Sequence, residues 1–377
     1  MAIYGEMNIN TVLLYYSKSS LYMIKGDFKR NIELLNKSLN ILLHMFGLQN
    51  ETTLLLYSHL GGSYCIIGNF IKAELNCLKA LDIAIKLFKE ENITHSFIYN
   101  DLGMLYLLYK DNIDKAIHYS GKASKILSKI YDKNHPFLLA TYVNLAFGYH
   151  LKKDFQKAIE LCNIALDILL RIGTKESMIY GLFCLRLGDS YFNAGNEELG
   201  IRYVSKSLKI FLTIHDSQNT FVVAAYSLLA KIYQTKGDYV RALEMVKNIL
   251  KIHESITIDG NIDALPHYIH LGDLYILKKD YLNAKAPFKQ GLEISINVYG
   301  ELNFITAICL IPLGYAYENL NEIKEAEKCL NKALSILLKT LHNTDYIDAV
   351  YLGLARIYMK TRRYKEASYA LYKIQKR

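Results

Sequence analysis

His267, His270 and Asp273 come nearest, by type and spacing, to residues that could do chemistry. At i, i+3 and i+6 they share one flank of a helix, and two imidazoles with a carboxylate suit a transition metal. No further ligand accompanies them, so polar lining of a surface is the plainer reading. Asp259-Gly260-Asn261-Ile262-Asp263 has the opening of a calcium loop. The twelfth position of such a loop must be a bidentate Glu, and here it is His270. The sequence holds no G-x-x-x-x-G-K phosphate loop, no H-E-x-x-H and no G-x-S-x-G. Cys65, Cys77, Cys162, Cys184, Cys309 and Cys329 form no C-x-x-C pair. They read as small buried apolar residues in a reducing compartment. The expectation is therefore a chain with no catalytic residue, no metal and no cofactor.

The elements that would position these residues follow from a period. Tyr22, Tyr64, Tyr106, Tyr149, Tyr191, Tyr233, Tyr275, Tyr317 and Tyr358 recur at steps of 41 to 43 residues. A fixed period of this size marks a solenoid built from one supersecondary unit. Ahead of each tyrosine from the second onward stands Leu followed by Gly or Ala, as in Leu60-Gly61, Leu145-Ala146 and Leu271-Gly272. Behind it stand an aromatic (Phe70, Phe155, Tyr239, Tyr281) and then Ala (Ala73, Ala158, Ala242, Ala284), with a second Ala seven further on in Ala80, Ala165 and Ala333. Leu, Gly and Tyr at i, i+1 and i+4 lie on one flank of a first helix, and the two alanines on one stripe of a second. Short polar turns separate them: Gly68-Asn69, Lys236-Gly237-Asp238 and Lys278-Lys279-Asp280. Gly supplies a left-handed helix end there, and Asp or Asn caps the next helix.

The pattern L-G/A-x-x-Y…F/Y-x-x-A…A resembles the tetratricopeptide repeat, and its 42-residue step is similar to that of the kinesin light chain type. The loop Tyr131-Asp132-Lys133-Asn134-His135-Pro136 is similar to that family's inter-repeat loop. The resemblance implies an all-α, right-handed superhelical solenoid of about nine helix-turn-helix units. It would form one domain over residues 1–377, with units starting near residues 11, 53, 95, 138, 180, 222, 264, 306 and 347. It also implies that the first helix of each unit faces a concave groove that takes a peptide. The positions implied to line it are Asn100, Asn144, Phe147, Arg186, Asp189, Asn193, Lys231, Gln234, His270 and Asp273, with Asp101, His150, Phe192, Tyr315, Glu318 and Asn319 beside them. Asn144 and Arg186 match two positions of the carboxylate clamp that some members carry. Asn100, Met104 and Leu182 lack its lysine charge, so the clamp is incomplete.

Composition sets the remaining bounds. An apolar fraction of 51% suffices for a continuous core, and no apolar run reaches the ~18 residues that span a membrane. The N-terminus shows no secretory signal, so a cytoplasmic place is expected. Of the net charge of +9, a share sits in Lys360, Arg362, Arg363, Lys365, Lys373, Lys376 and Arg377. That cluster suits a solvated terminal helix better than a nucleic-acid site. Pro136 and Pro266 fall at helix starts, whereas Pro287 and Pro312 fall inside helices and should bend them. Leu371 and Ile374 should be exposed on an uncapped last unit, a route to self-association. The expected function is a non-catalytic scaffold that binds a protein or peptide ligand. The alternatives are a bacterial peptide-sensing receptor, against which the early start of the first repeat counts, or the interaction part of a larger regulatory protein. An enzyme would need a site built across the groove around His270 and Asp273.

Overall fold

The computed structural model describes residues 8–25, 27–108, 112–214, 220–256, 262–340 and 344–376. Arg377 and most of the calcium-loop-like stretch, Asp259 to Asn261, lie outside them. Among the described residues there are eighteen α-helices, two 3-10 turns (Pro136–Leu138 and Ile262–Ala264) and no strand. The odd-numbered helices open the repeats: α1 (Ile9–Ile24), α3 (Glu51–Ile66), α5 (Ile93–Leu108), α7 (Leu139–Leu151), α9 (Met178–Asn193), α11 (Thr220–Thr235), α13 (Leu265–Leu277), α15 (Phe304–Asn319) and α17 (Thr344–Lys360). The even-numbered helices close them: α2 (Phe28–Phe46), α4 (Phe70–Leu87), α6 (Ile113–Ile130), α8 (Phe155–Arg171), α10 (Glu197–Ile214), α12 (Tyr239–Ile256), α14 (Tyr281–Tyr299), α16 (Ile323–Thr340) and α18 (Tyr364–Gln375). The chain divides into two compact units, Met1–Tyr203 and Val204–Arg377.

The periodic tyrosine has a backbone role. Its carbonyl accepts a hydrogen bond from the N–H of the residue that starts the next helix. The pairs are Asp27 to Tyr22, Asn69 to Tyr64, Asp154 to Tyr149, Asp238 to Tyr233 and Asp280 to Tyr275, all at 2.8–2.9 Å. This six-to-one bond closes the helix end and needs a left-handed residue beside it. Gly68 and Gly237 meet that need at φ 74° and 75°. Lys153, Lys279, Asn321 and Arg362 hold the same conformation without being glycine. The starting residue then caps its helix: Asp27 accepts from the N–H of Arg30 and Asn69 from that of Lys72. The tyrosine ring carries a cation from the following helix. Arg30 lies over Tyr22, Lys72 over Tyr64, Lys157 over Tyr149 and Arg241 over Tyr233, 4.6–5.5 Å from the ring centres.

Small residues let the two helices of a hairpin close. A Cβ on Gly61 would collide with Cys77, and one on Gly272 with the ring of Phe288. Ala73, Ala80, Ala158, Ala165, Ala284, Ala326 and Ala333 are fully buried on the facing stripe. Leu60, Leu102, Leu187, Leu229, Leu313 and Leu354 are buried beside them, each stabilising by about 1.5–3 kcal/mol. Even helices such as α2, α6 and α16 are apolar on one side only, whereas α3, α5 and α15 are apolar nearly all round. A helix apolar all round has neighbours on most sides. Odd helices accordingly also touch the next odd helix: α3 meets α5, α5 meets α7, α7 meets α9, α13 meets α15 and α15 meets α17. Among the described residues, even helices make no comparable contact with one another. Within each unit the odd side is therefore the short, inner side of a curved stack.

One sequence expectation changes. Leu371 is exposed, but Ile374 packs partly buried against the core of its unit, because it stands on the inward stripe of α18. Pro287 and Pro312 fall inside α14 and α15, and both helices run on through them.

Candidate inner-wall binding site

The inner wall of the first unit is a ladder of polar contacts, each rung joining one odd helix to the next. Tyr16 of α1 and His59 of α3 are hydrogen-bonded, Oη to Nε2, at 2.8 Å. The Ser58 hydroxyl donates to Asp101 Oδ2 of α5 at 3.1 Å. Asn144 of α7 donates its amide to both the backbone and side-chain oxygens of Asn100, at 3.1 and 3.0 Å. His150 of α7 sits between Asp189 Oδ2 (3.1 Å from Nε2) and the Ser190 hydroxyl (3.0 Å from Nδ1) of α9. Asn193 donates to the backbone and side chain of Asp189, one turn below it.

The structure thus brings Asn100, Asn144, Phe147, Arg186, Asp189 and Asn193 together, but not as six open groups. Asn144 is only 6% exposed, and both its donors are taken by Asn100. It is a link between helices, not the open amide that its position implied. Arg186 differs. Its guanidinium stacks over the Phe147 ring at 4.0 Å, and Nη1 lies 3.6 Å from Asp189 Oδ2, beyond hydrogen-bond length. Burial lowers its proton affinity, in spite of Asp189. A held, half-exposed cation with an under-used donor fork is suited to an anionic ligand group.

The second unit repeats the scheme with different residues. Gln234 Oε1 of α11 and His270 Nε2 of α13 are 2.7 Å apart. Asp273 is exposed, yet burial by its surroundings pushes its carboxyl up to about 6. Asp101 is pushed to about 6 for the same reason, and the exposed His59 is lowered by burial. A group that touches water while protein closes round it lies in a concavity, so this pattern agrees with the inner side assigned from packing. Lys231 projects from α11 and is exposed. Glu318 was expected at the surface but is 3% exposed. Arg356 and Lys360 of α17 reach back to it at 3.1 and 3.0 Å. Tyr315 lies under Arg356, 5.4 Å from it.

His267 and His270 do not converge. His267 stacks on His253 of α12, with ring centres 5.3 Å apart, and burial brings it down to about 4, whereas His270 turns to Gln234. Among the described residues, no three His, Cys, Asp or Glu side chains stand together as a metal site. The C-terminal cations are partly engaged: Arg363 with Glu327 and Glu366, Lys373 with the Tyr369 ring, Lys376 with the Tyr372 ring. All six cysteines are free and buried, with Cys77 and Cys162 pushed up to about 12. Sequence reasoning missed Tyr16, Ser58, His59, Arg356 and Lys360. Their signal was available as a polar residue one repeat away from another, but it needs the wall to be known first. Among the described residues no helix is long and apolar enough to cross a membrane.

Helical hairpins stacked on a common register, with an inner wall of polar residues, define an α-solenoid. The family model of the tetratricopeptide repeat matches residues 97–171 and 263–339 of this chain. No curated protein matches it by sequence. Among solved structures, the apo form of RapI is similar over 97% of this chain and 99% of its own, with a TM-score of 0.64 at 16% identity. The apo form of the quorum sensor NprR from B. thuringiensis has a TM-score of 0.62 at 16% identity, over 97% of this chain and 98% of its own. The tetratricopeptide-like repeats of a kinesin light chain type from Podosopora anserina have a TM-score of 0.50 at 20% identity, over 55% of this chain and 99% of theirs.

Proposed function

We propose that this protein is a non-catalytic interaction scaffold that holds an extended peptide or a helix of a partner protein against its odd-helix wall. The observation that carries the reading is Arg186: a guanidinium fixed by the Phe147 ring on the inner side of the stack, with donors to spare. It would take a carboxylate of the ligand. Asp273, exposed on the wall of the second unit, would accept an N–H. The buried thiols and the lack of a membrane-spanning helix among the described residues support a place inside a reducing compartment.

A peptide array screened with the full chain tests this. Peptides that bind the wild type should bind Arg186→Gln at least about tenfold more weakly, because a hydrogen bond to a charged group contributes about 1.5–3 kcal/mol. An array with no binder, or binders indifferent to Arg186→Gln and Asp273→Asn, would refute the reading. The likeness of fold to a quorum sensor supports a second reading, a receptor whose stack changes curvature when a peptide binds. It predicts a smaller radius of gyration by X-ray scattering on addition of such a peptide.

A further inference from the structure

Even helices turn one face to solvent, and the repeat itself shows what that face ordinarily carries. Seven, eleven and fourteen residues after the periodic tyrosine, α2 has Lys29, Glu33 and Asn36. At the same register α8 has Gln156, Glu160 and Asn163, and α16 has Lys324, Lys328 and Asn331. In α4 these positions are Ile71, Leu75 and Leu78, which are 78%, 52% and 39% exposed. Ile85 continues the stripe two turns further and is also exposed. No other even helix is aliphatic at all three positions.

Two features give this face a chemistry. Along one flank run Lys72, Lys79 and Lys86, seven residues apart. Lys72 and Lys79 are steadied over the rings of Tyr64 and Tyr57, at 5.4 and 5.3 Å. Beside the stripe lies a recess of about 420 Å³, walled by Leu48, Tyr57, Leu75, Leu78 and Ile83. It has room for one large apolar side chain.

We propose that the outer face of α4 is a docking site for an amphipathic helix of a partner protein, one whose apolar stripe is bordered on one side by carboxylates. Such a helix would bury the exposed Ile and Leu residues, set one anchor in the recess and oppose Lys72 and Lys79 with opposite charge, Lys86 being paired with Asp82. A second copy of this chain fits poorly. Its α4 would bring three more lysines and two carboxylates already engaged, Asp82 with Lys86 at 2.6 Å and Glu74 with the Tyr106 hydroxyl. A membrane surface would leave the recess unused. This face lies opposite the inner wall, so the proposal stands independently of groove binding.

Fluorescence anisotropy with two synthetic helical peptides decides it. Both carry the same leucine stripe, and the flank is Glu in one and Lys in the other. The full chain should bind the Glu-flanked peptide at least about tenfold more tightly, and high salt should narrow the gap. Lys72→Glu/Lys79→Glu/Lys86→Glu should reverse the preference. Leu75→Lys/Leu78→Lys should lose both peptides while circular dichroism stays helical. The proposal is overturned if neither peptide binds, or if both bind alike. It is also overturned if the wild type forms dimers that Leu75→Lys/Leu78→Lys breaks, or if anionic vesicles bind where the peptides do not.

Discussion

Asp101 shows what the inner wall does to a single group. It has the Ser58 hydroxyl as a donor, and burial raises its carboxyl from the ordinary 3.8 to about 6. A carboxyl raised in this way holds its proton more tightly when folded than when unfolded. Its favourable share of stability is complete below about pH 4 and is lost as pH rises through about 6. Asp101→Asn removes the cost of the buried charge. It should stabilise the protein at pH 7.5 by about 1–2 kcal/mol, less than the full shift implies because the group is partly exposed. The gain should vanish by about pH 4. Urea unfolding of both proteins at the two pH values measures this, and a difference that ignores pH would contradict it. At this scale the sequence identifies wall positions but not their state. Asn144 and Asn100 were legible as wall residues. Their mutual hydrogen bonds were not, because the two lie 44 residues apart and meet only through helix stacking.

Helix pairing was the most legible level, since a short repeat is dictated by steric needs that recur. Leu-Gly/Ala marks where two backbones approach, and Gly272 is a direct case, with the Phe288 ring where a Cβ would stand. Gly272→Ala should cost about 1–3 kcal/mol, as forced repacking of a tight core does. Gly121 of α6 has open space at its Cβ, so Gly121→Ala should instead gain about 0.5–1 kcal/mol. Thermal melts of the two variants should move in opposite directions. Other features were hidden. Lys153 and Lys279 adopt the left-handed turn that glycine was expected to supply, since the tyrosine carbonyl bond and the Asp cap hold the turn whatever side chain sits there. Glu318 looked like a surface acid, because its partners Arg356 and Lys360 belong to the next repeat.

Each of the two units of stacked hairpins, taken by itself, has an inner wall of linked polar groups and an outer side of solvated helices. Most of the inner ladder joins neighbouring repeats and so sets their spacing. On the proposal made above, fewer groups, Arg186 and Asp273 among them, would meet a ligand. The outer stripe on α4 escaped a reading of the shared motif because it is visible only where one repeat departs from the rest. The central claim is that ligand sits on the odd helices. The most direct measurement is photo-crosslinking of an array-selected peptide, with a benzophenone placed in turn along its length, and mapping of the adducts on the full chain by mass spectrometry. The account predicts adducts on α5, α7 and α9 near Arg186, or on α13 near Asp273. Adducts confined to the even helices would contradict it.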